Sequence, residues 1–409
     1  MRFYIDPGTG SMLFTVLIGV LGAAIYALRG ALVKLRFLAS SGKRNPAESD
    51  RVPFAIFTDS GRYESIFGPI CAEMEKRKQP VLYLTADEKD PMLQKGTEYI
   101  HPEFAGEGNR AFARMNMLKA DVVLSSTPGL DVYQWKRSRD VKWYVHVLHA
   151  ANSCIGYRMF GIDYYDALIL SGDYQKDYIR RLEEMRGLPE KEMILAGLPH
   201  MDSLKRRLEE AEPLPPHPVT VALAPSWGPT AILSRYGGEM IDRLLETGYQ
   251  VIVRPHPQSF QSEKELIDSL RAKYPDSAQL RWDANPDNFE TLRQSDILIS
   301  DFSGVMFDYT LVFGKPIIYA DVSYDDSVYD AWWLHLGAEN WTFRAVERLG
   351  APLTRENLPR IGEVIDQCLH SAALAEARKQ VAAETWANAG HSAESIADYL
   401  ISVRDRGET

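Results

Sequence analysis

The chain has 409 residues, 45% apolar and 25% charged, and a formal net charge of −10 from 46 basic and 56 acidic residues. That length allows two separate cores, the composition is that of a globular protein, and the acidic balance argues against nucleic acid as a partner while leaving room for a local basic site. Three cysteines, Cys71, Cys154 and Cys368, are too few and too scattered for a disulfide framework or a zinc site, and they suit a reducing compartment.

No residue from Pro7 to Leu28 is charged, and Met12 to Leu28 is almost wholly apolar, enough to cross a bilayer as a helix. A signal peptide would carry its bases before the apolar run. Here Arg29, Lys34, Arg36, Lys43 and Arg44 follow it, with no acid among them. The positive-inside bias predicts an uncleaved, single-pass anchor in the cytoplasmic (inner) membrane over residues 1–38, with the rest of the chain in the cytoplasm. The same bases suit anionic headgroups. Gly19, Ala23 and Ala27, four residues apart, form a small-residue face that admits a homo-oligomer. Residues 39–52 are polar, contain Gly and Pro, and read as a linker.

Apolar runs then alternate with helical stretches. Strands are predicted at 54–57, 81–84, 122–125, 143–147 and 167–170, and helices near 65–78 and 176–185. Four prolines within Pro213–Pro218 interrupt the pattern and mark a domain linker. A second alternation has strands at 219–224, 250–254, 296–300 and 316–319, with a helix predicted over 303–313. The tail from Arg360 to Arg404 reads as helices, broken near Asn388–Gly390. The predicted fold class is α/β: two Rossmann-like doubly wound domains, 53–210 and 211–409, facing a cleft in the GT-B arrangement. In that arrangement the last helix returns to the first domain.

Polar clusters fall where such a cleft needs them. Thr58-Asp59-Ser60-Gly61-Arg62-Tyr63 follows the first strand, and on its own it reads as a capped βα turn. His146 and His149 lie at the end of a central strand, where a histidine serves either structure or catalysis. Gly197-Leu198-Pro199-His200-Met201-Asp202 closes the first domain. In the second, Ala224-Pro225-Ser226-Trp227 ends one strand and Val253-Arg254-Pro255-His256-Pro257 another. In a parallel strand Arg254 and His256 point to one side, a cation and an imidazole suited to a pyrophosphate, and the other reading is a rigid turn with a solvent-facing Arg254. Ser300-Asp301-Phe302-Ser303-Gly304-Val305-Met306-Phe307-Asp308-Tyr309 stands between two apolar runs as strand, turn and helix. Ser303 and Gly304 there either cap the helix or offer its N-terminus to a phosphate.

Taken together and in order, these stretches resemble the CDP-glycerol glycerophosphotransferase family, the teichoic-acid primases and polymerases. The resemblance runs from about Phe54 to Asp321. It rests on the Ser300–Tyr309 run followed by Lys315-Pro-Ile-Ile-Tyr319, on Ala224–Trp227, on Arg254–Pro257, on Gly197–Leu204 and on the Gly61–Tyr63 loop. Departures are Gly304 for a usual second Ser, His200 for Arg, and Leu148 and Ala150 flanking His149 where Trp and Gly are usual.

The resemblance implies an enzyme that moves glycerol phosphate, or a related polyol phosphate, from CDP-glycerol or another CDP-polyol to a lipid-linked or membrane glycan acceptor. It implies His149 as general base, with His146 still open. Arg254, His256, Ser303 and Gly304 would face the pyrophosphate, and Gly61 and Arg62 the acceptor side. Ser226, Trp227, Ser300, Asp301 and Asp308 would order the donor loop or touch the nucleotide. No Asp-x-Asp follows a strand, so neither metal nor cofactor is expected. Two other readings fit the same fold: an anchored glycosyltransferase using a nucleotide sugar or CMP-sugar, and a non-catalytic membrane scaffold.

Overall fold

The computed structural model describes residues 51–152, 154–301, 303–320, 327 and 329–406. The predicted anchor lies outside the described residues, and among these no helix is long and apolar enough to cross a membrane.

Among the described residues, thirteen strands form two all-parallel sheets. In the first they are β1 (Val52–Thr58), β2 (Val81–Thr85), β3 (Ile100–Phe104), β4 (Ala120–Ser125), β5 (Val141–Val147), β6 (Ala167–Leu170) and β7 (Glu192–Leu195), in the order β3-β2-β1-β4-β5-β6-β7. In the second they are β8 (Thr220–Leu223), β9 (Gln250–Val253), β10 (Leu280–Trp282), β11 (Ile297–Ser300), β12 (Ile317–Ala320) and β13 (Gly350–Leu353), in the order β10-β9-β8-β11-β12-β13. Each sheet therefore reverses direction beside its first strand, between β1 and β4 and between β8 and β11. Loops leaving the carboxyl ends of those strands part to opposite faces there, which opens a crevice for a ligand.

Every strand expected from the sequence is present. Four were not foreseen, β3, β7, β10 and β13, and these are the four sheet edges. The inner strands are buried on both faces and read as continuous apolar runs, as in Ala167-Leu-Ile-Leu170 and Ile297-Leu-Ile-Ser300. The edges are partly exposed and carry Pro102, Glu192, Arg281 and Pro352. A proline costs an edge strand little, because one side of its backbone has no ladder to complete. The helix predicted over 303–313 is shorter at its start and changes pitch. One turn, Val305–Phe307, passes into a wider π-turn at Asp308–Val312, where the Thr310 hydroxyl donates back to the Met306 carbonyl at 2.7 Å. The Lys315 ammonium donates to the carbonyls of Arg293 and Ser295, 2.6 and 2.5 Å away, closing the end of the helix Phe289–Gln294.

The two lobes share a core. Phe57, Tyr144 and Leu168 from the first and Leu298, Phe307 and Tyr309 from the second belong to one buried cluster. Trp341 bridges it, stacked on Tyr174 at 3.7 Å between centroids and lying 5.6 Å from Phe307. A second bridge uses charge. Arg186 donates at 2.6 Å to both Asp163 and Asp330, and its guanidinium lies over the rings of Phe160 and Trp333, 4.7 and 5.1 Å from their centroids. The backbone N–H of Asp330, an excursion of the second sheet, donates at 2.9 Å to the carbonyl of Tyr157 in the first lobe.

After the helix Ala372–Thr385 the chain recrosses to the first lobe. There the helix Ser392–Arg406 buries Ile396, Ala397, Leu400 and Val403 against Phe54, Ile56 and Val122. Asp202 holds the crossing. One carboxylate oxygen accepts from Trp386 Nε1 (2.9 Å) and the Gly390 N–H (2.7 Å), the other from the Ser392 N–H (2.8 Å). Gly197, at φ +89°, lies so close that a Cβ there would stand 2.1 Å from the Ala387 carbonyl oxygen. Replacing Asp202 with Ala strands three donors at once, two of them at the start of the last helix. A stability loss of about 2 kcal/mol is expected, together with faster hydrogen exchange in 386–406; unchanged exchange there would remove Asp202 from this role.

Candidate active site

The first wall grows from the carboxyl ends of β1 and β5. Beyond β1 the Gly61 N–H donates to Asp87 at 2.9 Å, and a Cβ on Gly61 would stand 2.8 Å from the Asp90 Cα, so the close approach of two loops requires glycine. This turn leaves Arg62 exposed, with Nη2 donating to the Tyr63 hydroxyl at 2.9 Å. Beyond β5, His146 is fully buried whereas His149 is half-buried, with its ring 5.5 Å from that of Tyr63. Tyr157 reaches both: its hydroxyl lies 3.0 Å from His149 Nδ1 and 3.1 Å from His146 Nε2. Burial, followed by the positive charges of Arg62 and His200, pushes the His149 imidazole down to about 4 against a smaller opposing pull from Asp308. His149 is therefore neutral at physiological pH.

The second wall grows from β8 and β11, and Asp301 organises it. Its buried carboxylate accepts from the Ser226 N–H at 2.5 Å and from the Ile232 N–H at 2.9 Å, holding the loop that follows β8. The Ser300 hydroxyl donates to the Ala224 carbonyl at 2.6 Å and is also buried, so it ties the same two strands and does not reach the cleft. The loop presents Trp227, 52% exposed, with its ring 6.5 Å from that of His256. His256 Nδ1 accepts from the Gln258 N–H at 3.1 Å, which leaves the ring proton on Nε2. Burial and then the charge of Arg62 lower its imidazole, so it is a neutral donor. The Ser303 N–H is spent on the Asp301 carbonyl, whereas those of Gly304 and Val305 have no partner among the described residues.

Arg254 does not join His256. Strand β9 ends at Val253, so the two-residue repeat expected to align them stops short. Its guanidinium is taken up by Asp283 at 2.5 Å and by the Asn285 carbonyl at 2.6 Å, and Asp283 also accepts from the Thr291 hydroxyl. The cation whose charge bears on His256 is Arg62, from the opposite lobe.

The walls meet in two places. Gly304 faces Ala150, with 3.5 Å left between a Cβ placed on it and the Ala150 Cβ. His200 pairs with Asp308 at 3.1 Å through Nε2, and its Nδ1 lies 3.2 Å from the Ser65 hydroxyl. Burial alone would pull the His200 imidazole down; the Asp308 carboxylate, by charge and hydrogen bond, more than offsets this and leaves it above its ordinary value. The sequence reading took Gly197–Leu204 as a sign of kinship and missed His200 as a cleft residue. It missed Tyr157 altogether, since no motif surrounds it.

A profile of the CDP-Glycerol:Poly(glycerophosphate) glycerophosphotransferase family matches residues 40–332. No curated protein sequence matches the chain significantly. Among solved structures, the wall teichoic acid polymerase TagF, in a variant soaked with CDPG, superposes with a TM-score of 0.57 at 15% identity, over 94% of this chain and 99% of that one. A putative UDP-N-acetylglucosamine 2-epimerase from Listeria monocytogenes gives 0.55 at 13% identity, over 88% and 98%. The UDP-GlcNAc 2-epimerase of Methanocaldococcus jannaschii, in complex with UDP-GlcNAc and UDP, gives 0.53 at 14%, over 86% and 100%. At these identities the structures share the fold.

The His200–Asp308 pair makes stability pH-dependent. Because the folded imidazole titrates above its unfolded value of about 6.5, its contribution is complete below that pH and is lost as pH rises through the higher folded value. The melting temperature of His200→Gln should therefore fall furthest below that of the unaltered protein near pH 6 and converge with it by about pH 9. A constant gap across that range would show that the pair does not titrate.

Proposed function

The chain belongs to the CDP-glycerol:poly(glycerophosphate) glycerophosphotransferase family, and we propose that it moves glycerol phosphate from CDP-glycerol to a hydroxyl of a membrane-associated acceptor, in the synthesis of a teichoic-acid-type envelope polymer. The observation that carries this reading is the pairing of a neutral His149 on one wall with a wall of uncharged donors opposite: His256 Nε2–H and the N–H groups of Gly304 and Val305.

In this reading the acceptor oxygen attacks the phosphorus that carries glycerol. His149 takes the hydroxyl proton as the new O–P bond forms, and the P–O bond to CMP breaks with its electron pair left on the CMP phosphate. His256, Gly304 and Val305 stabilise that developing charge, and Arg62, the cation that bears on both histidines, lies at the same place. Trp227 offers an aromatic face to the nucleotide. Ser226, Ser300 and Asp301 shape the donor loop, while Arg254 braces the loop that carries His256 by binding Asp283. Residues 12–28 would hold the enzyme at the inner face of the cytoplasmic membrane, where a lipid-linked acceptor is within reach.

Two measurements separate the roles. His149→Ala should lower transfer by roughly 100-fold or more and leave CDP-glycerol affinity by calorimetry nearly unchanged. His256→Ala should weaken both, with about 3 kcal/mol lost from the barrier. Clear preference for a UDP-sugar over CDP-glycerol in a donor panel would end the reading. Removal of residues 1–38 should release the protein from membranes while CDP-glycerol affinity survives; persistent membrane association would place the attachment elsewhere.

A further inference from the structure

We propose that Tyr157 is a positioning residue that locks His149 in the tautomer with its proton on Nδ1, leaving a bare Nε2 toward the cleft. Its hydroxyl stands between two imidazole nitrogens, 3.0 Å from His149 Nδ1 and 3.1 Å from His146 Nε2. A phenol has one proton, so it donates to one ring and accepts from the other. The tautomers of the two histidines are thereby tied to each other.

The tie holds only while all three groups are neutral, and burial keeps them so. It raises the Tyr157 phenol well above its ordinary value, and it lowers His149 to about 4 and His146 to about 3. Two arrangements remain. In one, His149 Nδ1–H donates to Tyr157, and Tyr157 O–H donates to His146 Nε2. In the other both bonds reverse, and His149 presents Nε2–H to the cleft.

The base role given to His149 selects the first, because a general base presents a lone pair to the hydroxyl it deprotonates. The groups that face His149 are Arg62 and Tyr63 from the loop after β1, Tyr157 and His146 from its own lobe, His200 from the helix Pro199–Glu210, and Asp308 from the second lobe. Arg62 and His200 lower the His149 imidazole by more than Asp308 raises it, which keeps the ring neutral with a lone pair on one nitrogen. At the other end, His146 Nδ1 has no hydrogen-bond partner among the described residues, and its ring lies against Tyr165, 4.8 Å between centroids and tilted by 54°. In the first arrangement His146 Nδ1 carries the proton, and an aromatic ring beside it can take an N–H that has no other acceptor. Tyr157 and His146 thus hold the base in place.

The choice of tautomer and its catalytic consequence rest on the base role given to His149; the tie between the two rings does not. Nitrogen-15 NMR of histidine-labelled full-length protein in detergent, with the His149 signals assigned by loss in His149→Gln, reads the tautomer directly. The Nδ1–H form is expected in the unaltered protein, and the Nε2–H form there overturns the proposal even if every variant misfolds. Tyr157→Phe should move His149 toward Nε2–H and lower kcat on the order of tenfold to a hundredfold, with the KM for CDP-glycerol nearly constant. His146→Gln, whose amide oxygen can still accept the phenol proton, should keep most of kcat, whereas His146→Leu should behave like Tyr157→Phe. An unchanged tautomer in Tyr157→Phe overturns the lock. If His149→Ala retains full turnover while Tyr157→Phe still shifts the tautomer, the base role fails and the lock stands.

Discussion

A single carboxylate, that of Asp202, holds together the parts on which the cleft depends. By accepting three hydrogen bonds from Trp386, Gly390 and Ser392 it fixes where the chain, having finished the second lobe, recrosses to the first. The crossing is tight enough that Gly197 and Gly172 each meet a carbonyl oxygen where a Cβ would be, 2.1 and 2.2 Å away. Two residues before Asp202 on the same first turn stands His200, and across from it Asp308. Backbone geometry thus sets the cross-cleft pair. Arg186 with Asp330, and Trp341 on Tyr174, then fasten the lobes at separate points.

Much of what makes the family signature recognisable is structural. Ser300 ties two strands, Asp301 holds a loop by its N–H groups, and Lys315 closes a helix. Buried polar groups of this kind must be satisfied where they stand, which narrows the side chains that each position accepts. The proposed transfer assigns its chemistry to other groups along the same loops: His149, His256, Arg62 and the N–H groups at Gly304 and Val305.

Charge in the cleft follows one pattern. Burial lowers His149 and His256, and the charge of Arg62 adds to it in both, so neither imidazole carries a proton that would repel cations or trap anions before the donor binds. His200 is the exception, raised by Asp308 into a partner of a carboxylate. In the proposed transfer the two lowered histidines move a proton and donate to an oxyanion, while the raised one joins the lobes through Asp308.

By itself the sequence determined the two parallel lobes, because strands buried on both faces must be apolar throughout, and it determined the loops that form the cleft, because these follow such strands directly. Edge strands escaped it, since a half-exposed strand tolerates Pro102, Glu192 and Pro352 and loses its pattern. It placed His149, Trp227, His256 and Gly304 at strand ends, but local periodicity could say nothing of partners far along the chain. Only the tertiary structure turned Arg254 onto Asp283, set Arg62 beside histidines of both lobes, brought Asp308 to His200, and inserted Tyr157 between His146 and His149. Each of those contacts joins separate loops whose distance is set by packing of whole lobes, a quantity that no short stretch of residues encodes.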